Sequence, residues 1–419
     1  MILTRIRTTG ATGKGNKNFE LIENFSTWSR HVGLLVCFAL FLLPVPPVLP
    51  VVQFSSAGER DGKRDPLIPL QGTKSAPVTF DIDFSAVVTA PYHTKTLKIW
   101  LAMPQSDVAQ TIEEGELNSF PRKVAPKVGT EKVYGNQFAY FEFDHPEGAQ
   151  IVRHKFKATI HEMRWNIDPD KIVKVEKWPR SFDPFLKSDQ SVSVDERVRK
   201  LVLNVAPNPG HVGKDFANIM DYVTRTMKYD HVSASLKASS DHALTKKMGH
   251  CSDYHGLCAA FGRALGYPTR VTYGINPFPK NSPSHCKLEA FLPPYGWVVF
   301  DVSETQRVIE FIQKDKTLDA GKKEELIRLA NDRLRSGFRD NTWLQQTRGT
   351  DYELAPPAQK RAPVVRTIYA EADGVALPEP DPANAQQREF GWMTVHHYTP
   401  SRPVEYPFQG WKSLVTVEK

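Results

Sequence analysis

The spacing of apolar residues changes partway along this chain, and that change constrains its architecture more than any single motif does. Between Ala76 and Trp165 the repeat is two: Phe80, Ile82 and Phe84 alternate with Asp81 and Asp83, and Val152, His154, Phe156, Ala158 and Ile160 alternate with Arg153, Lys155 and Lys157. Period two marks a strand with one buried face. Leu97, Ile99, Leu101 and Met103 predict another strand, and Phe138 to Phe143 one more, beyond a polar loop at 106–135. An antiparallel sheet or sandwich is the natural product. From Phe216 the spacing becomes three and four, through Ile219, Met220, Val223 and Met227, which predicts an amphipathic helix. A second helix is expected from Cys251 to Leu265, stopped by Gly266 and Pro268. Strands are expected at Thr269 to Ile275, Lys287 to Leu292 and Trp297 to Val302, the last two joined as a hairpin across Pro293-Pro294-Tyr295-Gly296. Charged helices follow at Glu304 to Ile312 and Asp319 to Leu334, then strands at Val364 to Ala370 and Trp392 to Tyr398. With 32 prolines in 419 residues a helical bundle is excluded, and an α+β chain of two compact regions with added segments is expected.

The N-terminal residues read as an address. Met1 to Arg30 carries Arg5, Arg7, Lys14, Lys17 and Arg30 against Glu20 and Glu23, and Val32 to Leu43 then holds no charge at all. A basic flank before a short apolar core is the pattern of an export signal. Prolines at 44, 46, 47 and 50 stop the run short of the ~20 residues that a spanning helix needs, which favours a cleaved signal over a retained anchor. Ser55-Ser56-Ala57 offers small residues for cleavage, and the chain after Gly58 is expected to be extracytoplasmic, secreted, periplasmic or anchored facing outward. The formal charge of +7 comes from 54 basic residues interspersed with 47 acidic ones; no basic stripe emerges, so no nucleic-acid partner is expected.

Four cysteines exclude a disulfide-stapled scaffold. Cys37 falls in the apolar run, but Cys251, Cys258 and Cys286 cluster in one central stretch. Cys251 opens a predicted helix, where the positive end of the helix dipole and free backbone N–H groups favour a thiolate and a developing oxyanion. His285 begins one strand of the hairpin and Asp301 ends the other, so antiparallel pairing brings them together and lets the carboxylate orient the imidazole.

Here the chain resembles the transglutaminase-like superfamily of papain-type cysteine enzymes. The resemblance rests on Gly249-His250-Cys251 opening a helix, on Arg263-Ala264-Leu265-Gly266-Tyr267-Pro268 closing it, and on His285 followed by Tyr295-Gly296-Trp297 and Asp301. It is specific over Lys214 to Ser303 and looser over Ala76 to Trp165. It implies a papain-like α+β core preceded by a β-sandwich-like domain, and a triad of Cys251, His285 and Asp301 acting on peptide or carboxamide bonds without an organic cofactor. Two positions depart from the family pattern: the residue after the histidine, commonly Ala or Gly, is Cys286, and the usual Trp after it is Lys287. Motif does not locate a second oxyanion donor; Tyr229 is the candidate.

The competing readings are a zinc site on Cys251, His255 and Cys258, which lacks a C-x-x-C knuckle, and a Cys258–Cys286 disulfide. Alternation along the strand argues against the disulfide, because if His285 faces the helix then Cys286 faces away. The expected organisation is a basic tail at 1–30, an export or anchor segment at 31–57, a linker at 58–75, a β-rich domain at 76–190, the catalytic core at 191–345, and C-terminal strands at 346–419 packed on it. The expected partner is a protein or peptide substrate, with membrane attachment only through the N-terminal segment. The expected activity is hydrolytic acyl transfer, with amine cross-linking or a non-catalytic envelope binding module as the alternatives.

Overall fold

The structure, a computed structural model, describes residues 72–278, 284–378 and 390–415. The expected export segment and the tail before it lie outside these residues. Among the described residues no helix is long and apolar enough to cross a membrane.

The period-two stretch folds into β1 (Thr73–Thr89), β2 (Thr96–Met103), β3 (Gln110–Ile112), β4 (Glu116–Phe120), β5 (Lys127–Thr130), β6 (Gln137–Asp144) and β7 (Ala149–Arg164). All pair antiparallel, in two sheets. Phe80, Ile82 and Phe84 of β1, Leu97, Ile99 and Leu101 of β2, Phe141 and Phe143 of β6 and Phe156, Ala158 and Ile160 of β7 fill one core between the sheets, which makes a sandwich. The stretch expected as a polar loop contains three of these strands. β3 and β4 pair with β7, and β5 with β6. They are short edge strands held by backbone hydrogen bonds, so they show none of the apolar alternation that sequence reading relies on.

The second half begins with α1 (Asp183–Leu186), α2 (Glu196–Val205), α3 (Val212–Thr226), β8 (Lys228–Tyr229), α4 (Ser240–Lys246), β9 (Met248–Gly249) and α5 (Cys251–Ala264). The predicted face of α3, Phe216, Ile219, Met220 and Val223, is buried. There follow β10 (Thr269–Ile275), β11 (Ser284–Leu292), β12 (Gly296–Phe300), α6 (Val302–Lys314), α7 (Ala320–Arg335), β13 (Phe338–Arg339) and β14 (Leu344–Arg348). β12, β11, β10 and β14 form one antiparallel sheet in that order. Against it packs α5, in which every residue from Cys251 to Arg263 is buried. The chain closes with β15 (Ile368–Ala372), β16 (Val375–Ala376), β17 (Gly391–Pro400) and α8 (Lys412–Val415). These C-terminal strands do not pack on the core alone: β17 pairs with β1 and β15 with β2, so they complete the sandwich, while Tyr406 and Phe408 pack on α6 and α7. The β-rich half and the half that holds α5 and its sheet accordingly belong to one compact unit.

A close approach fixes α5. A Cβ on Gly256 would lie 2.1 Å from the carbonyl oxygen of Ala238, which is backbone and has nowhere to swing. Gly256→Ala is expected to destabilise the fold by about 1–3 kcal/mol through overpacking. Thermal unfolding checks this; an unchanged midpoint would mean that the backbone at Ala238 yields freely.

Candidate active site

Three short elements bring the sequence-selected residues together. Cys251 is the first residue of α5, and His250 before it caps the helix, its Nδ1 accepting from the Ser252 N–H at 3.2 Å while the Asp253 carboxylate accepts from the His250 N–H, also at 3.2 Å. The parallel bridge Tyr229↔Gly249 places Tyr229 beside the approach to Cys251. His285 is the second residue of β11, opposite Gly274 of β10. Asp301 follows β12 directly and caps α6, its Oδ1 accepting from the Glu304 N–H at 3.2 Å.

The three expected site residues meet, all nearly out of contact with solvent: Cys251 is 4% exposed and His285 and Asp301 2% each. His285 Nε2 lies 2.7 Å from Asp301 Oδ2. The imidazole is also hydrogen-bonded to the Cys251 sulfur. Burial works against a charged imidazole, but the Asp301 carboxylate and the Cys251 sulfur outweigh it and raise His285 to about 9. The thiol of Cys251 is held well below its ordinary range, first by a hydrogen bond from Cys286 and then, against the opposing effect of burial, by His250 and His285. The arrangement therefore favours thiolate and imidazolium together at neutral pH.

Cys286 corrects the expected strand faces. Alternation holds, but with the faces exchanged: Cys286, Leu288, Ala290 and Leu292 pack into the core shared with α5, while His285 and Lys287 share the other face and meet at Asp301. The cause is chemical, since the helix docks on the small and apolar set and leaves the polar set on the opposite, also buried, face. His285 still reaches Cys251, and Cys286 reaches it from the helix-facing side, as its hydrogen bond to that sulfur requires. Among the described residues, Cys251, Cys258 and Cys286 form no disulfide, so the alternative Cys258–Cys286 bridge is not made. Cys258 lies within the core, where burial alone pushes its thiol up.

His255, the histidine of the competing zinc reading, is fully buried. Its Nε2 accepts from the Val302 N–H at 3.1 Å, and burial pulls it down to about 4, so it is a neutral tie between α5 and α6. His250 meets the Arg366 guanidinium at 3.1 Å through Nε2 and, mainly through burial, is likewise pulled below its ordinary value. Sequence reasoning missed Lys287, whose Nζ lies 2.6 Å from Asp301 Oδ2 and 2.9 Å from Asp340 Oδ2. The hairpin register carried the signal: Leu288 pairs with Phe300, which puts position 287 opposite 301.

Residues 200–302 match the sequence model of the transglutaminase-like superfamily. No curated protein sequence matches the chain. Among solved structures, a candidate cysteine protease from Cytophaga hutchinsonii superposes with a TM-score of 0.52 at 15% identity, over 80% of this chain and 96% of that one. The periplasmic domain of TgpA from Pseudomonas aeruginosa matches over 55% of this chain and 90% of its own, at 16% identity and a TM-score of 0.29. The first of these likenesses is one of fold. The stretch that matches the transglutaminase-like superfamily, residues 200–302, contains α5, the histidine strand and the aspartate.

Proposed function

We propose that this protein is an extracytoplasmic cysteine enzyme that cleaves peptide or carboxamide bonds by thiol acyl transfer. The observation that carries the reading is a thiol at a helix N-terminus, hydrogen-bonded to an imidazole that is held by a buried carboxylate. In this reading Cys251 attacks the carbonyl carbon, and the C–N bond breaks as His285 gives its proton to the departing amine. Water then attacks the thioester, His285 takes its proton, and the acid leaves as the thiolate is restored. Asp301 keeps the imidazole in one tautomer and orientation. The Cys251 N–H at the start of α5 would face the developing oxyanion, the Ser252 N–H being taken by His250, with Tyr229, paired beside Gly249, as the candidate second donor.

An amine in place of water would give a cross-link, so the test compares acceptors. Purified protein is incubated with a peptide library, with glutamine carboxamides, and with the same amides plus a primary amine. The expected result is hydrolysis with little amine incorporation, together with alkylation of Cys251 by iodoacetamide faster than that of a free thiol. Predominant amine incorporation would make the enzyme a cross-linker. Absence of all three reactions with an unreactive Cys251 would leave a binding module that keeps the fold. The export reading rests on residues 1–57 and is checked by the N-terminus of the mature protein, expected near Gly58; an intact Met1 in a membrane fraction would favour an anchor.

A further inference from the structure

We propose that Lys287 is a positioning residue: braced by Asp340, it fixes the Asp301 carboxylate and takes up part of its charge, so that His285 releases its proton more readily. The proposal rests on reading Cys251, His285 and Asp301 as the reacting group. Lys287 and Asp340 are 0% exposed and Asp301 is 2% exposed, so two anions and a cation are buried side by side. Burying charges in this way is costly, and an apolar side chain of similar volume is often as stable or more so. Something other than stability therefore accounts for the lysine.

The geometry supplies the alternative. Asp301 Oδ2 accepts from His285 Nε2 at 2.7 Å and from Lys287 Nζ at 2.6 Å, so imidazole and ammonium compete for one oxygen. The ammonium is itself placed on several sides. Asp340 Oδ2 accepts from it at 2.9 Å, Asp340 Oδ1 accepts from the Thr342 N–H at 3.1 Å, and the rings of Trp343 and Phe408 lie 5.3 and 5.1 Å from Nζ. With Oδ1 of Asp301 turned to the Glu304 N–H, the carboxylate has little freedom to rotate away from His285.

The other charged and titratable groups around the pair are Cys251 and His255 from α5, Glu304 from α6 and Arg333 from α7, with Tyr229 and Tyr406 also within electrostatic range. His255 is neutral above about pH 4 and contributes no charge near neutrality. Lys287 is therefore the cation in direct contact with the carboxylate that orients His285. Losing it returns the full charge of Asp301 to the imidazolium, which then holds its proton too tightly to pass it on efficiently.

The experiment uses the full chain with histidine labelled at 13Cε1, the His285 resonance being assigned by its loss in His285→Gln. Its titration is followed by NMR in wild type, Lys287→Met, Lys287→Arg, and the paired Lys287→Met/Asp340→Asn, which leaves no orphaned anion. The expected result is a midpoint near 9 in wild type, raised by about one pH unit in both Met variants, a tenfold gain in proton affinity, and restored by Arg. Cleavage at pH 7 should fall with it, in kcat more than in KM. A His285 midpoint that stays put in the folded paired variant, or that falls, overturns the proposal. The same titration in a Cys251→Ala background reads the Lys287 effect without any reaction. If the effect persists there while wild-type Cys251 is inert to iodoacetamide, the acyl-transfer reading fails and the electrostatic role of Lys287 stands.

Discussion

Cys251→Ala is expected to abolish turnover, lowering kcat by a factor on the order of 10⁴ to 10⁶, the range lost when a nucleophile that acts as part of a unit is removed. The size of the effect follows from the division of labour among the three clustered thiols. Of the three, Cys251 is the one that opens a helix, and its thiol is held well below the ordinary range, by Cys286 first and by the two histidines after it. Burial drives Cys258 the opposite way, so Cys258→Ala should leave catalysis intact while loosening the core around α5. Cys286→Ala falls between these two: it keeps the nucleophile but removes a donor, so the thiolate should persist less far toward acid pH. Steady-state kinetics on whichever amide substrate emerges, with iodoacetamide rates measured peptide by peptide, separate the three. Residual activity of Cys251→Ala within tenfold of wild type would show that the chemistry does not pass through this thiol.

The contrast among the cysteines also marks how far sequence could be read. Helix α5, the hairpin and the order Cys251, His285, Asp301 were legible because each rests on a local signal: a cap, a turn or a spacing. The sandwich was legible in its long strands, where Phe80, Ile82 and Phe84 expose their period. Its short edge strands were not, since β3, β4 and β5 are held mainly by backbone pairing. Which face of β11 docks on α5 was invisible for another reason. Alternation says only that His285 and Cys286 point oppositely. The choice between the two faces depends on the helix, and only the run Cys286, Leu288, Ala290, Leu292 hints that the even set is the buried one. Lys287 was passed over as a mere departure from a family pattern, although the register of a short hairpin already sets it across from Asp301.

Asp301→Asn is expected to cost both activity and stability, because one carboxylate serves His285, Lys287, Ser303 and the start of α6 at once. The amide preserves shape and can still cap α6 through its oxygen, as asparagine does at helix starts generally. What goes is the charge. His285 stands near 9 despite burial because Asp301 and the Cys251 sulfur hold its proton in place. Without the carboxylate, burial is opposed by the sulfur alone and the midpoint drops toward or below the ordinary ~6.5. The sign of the pH effect follows. In wild type the imidazolium contributes stability in full below the unfolded-state value and loses it as pH rises through about 9; in the variant that contribution is gone at neutral pH. Activity should therefore fall by roughly 10²- to 10⁴-fold at pH 7, and its alkaline limb should move to lower pH. On the stability side, breaking a buried ion pair costs about 3–5 kcal/mol when it strands a charge. Lys287 keeps Asp340 at 2.9 Å, so the lower end of that range is expected. Denaturant unfolding at pH 7, beside a pH–rate profile, measures both effects. A variant that lost activity but kept its alkaline limb would show that Asp301 orients His285 without setting its proton affinity.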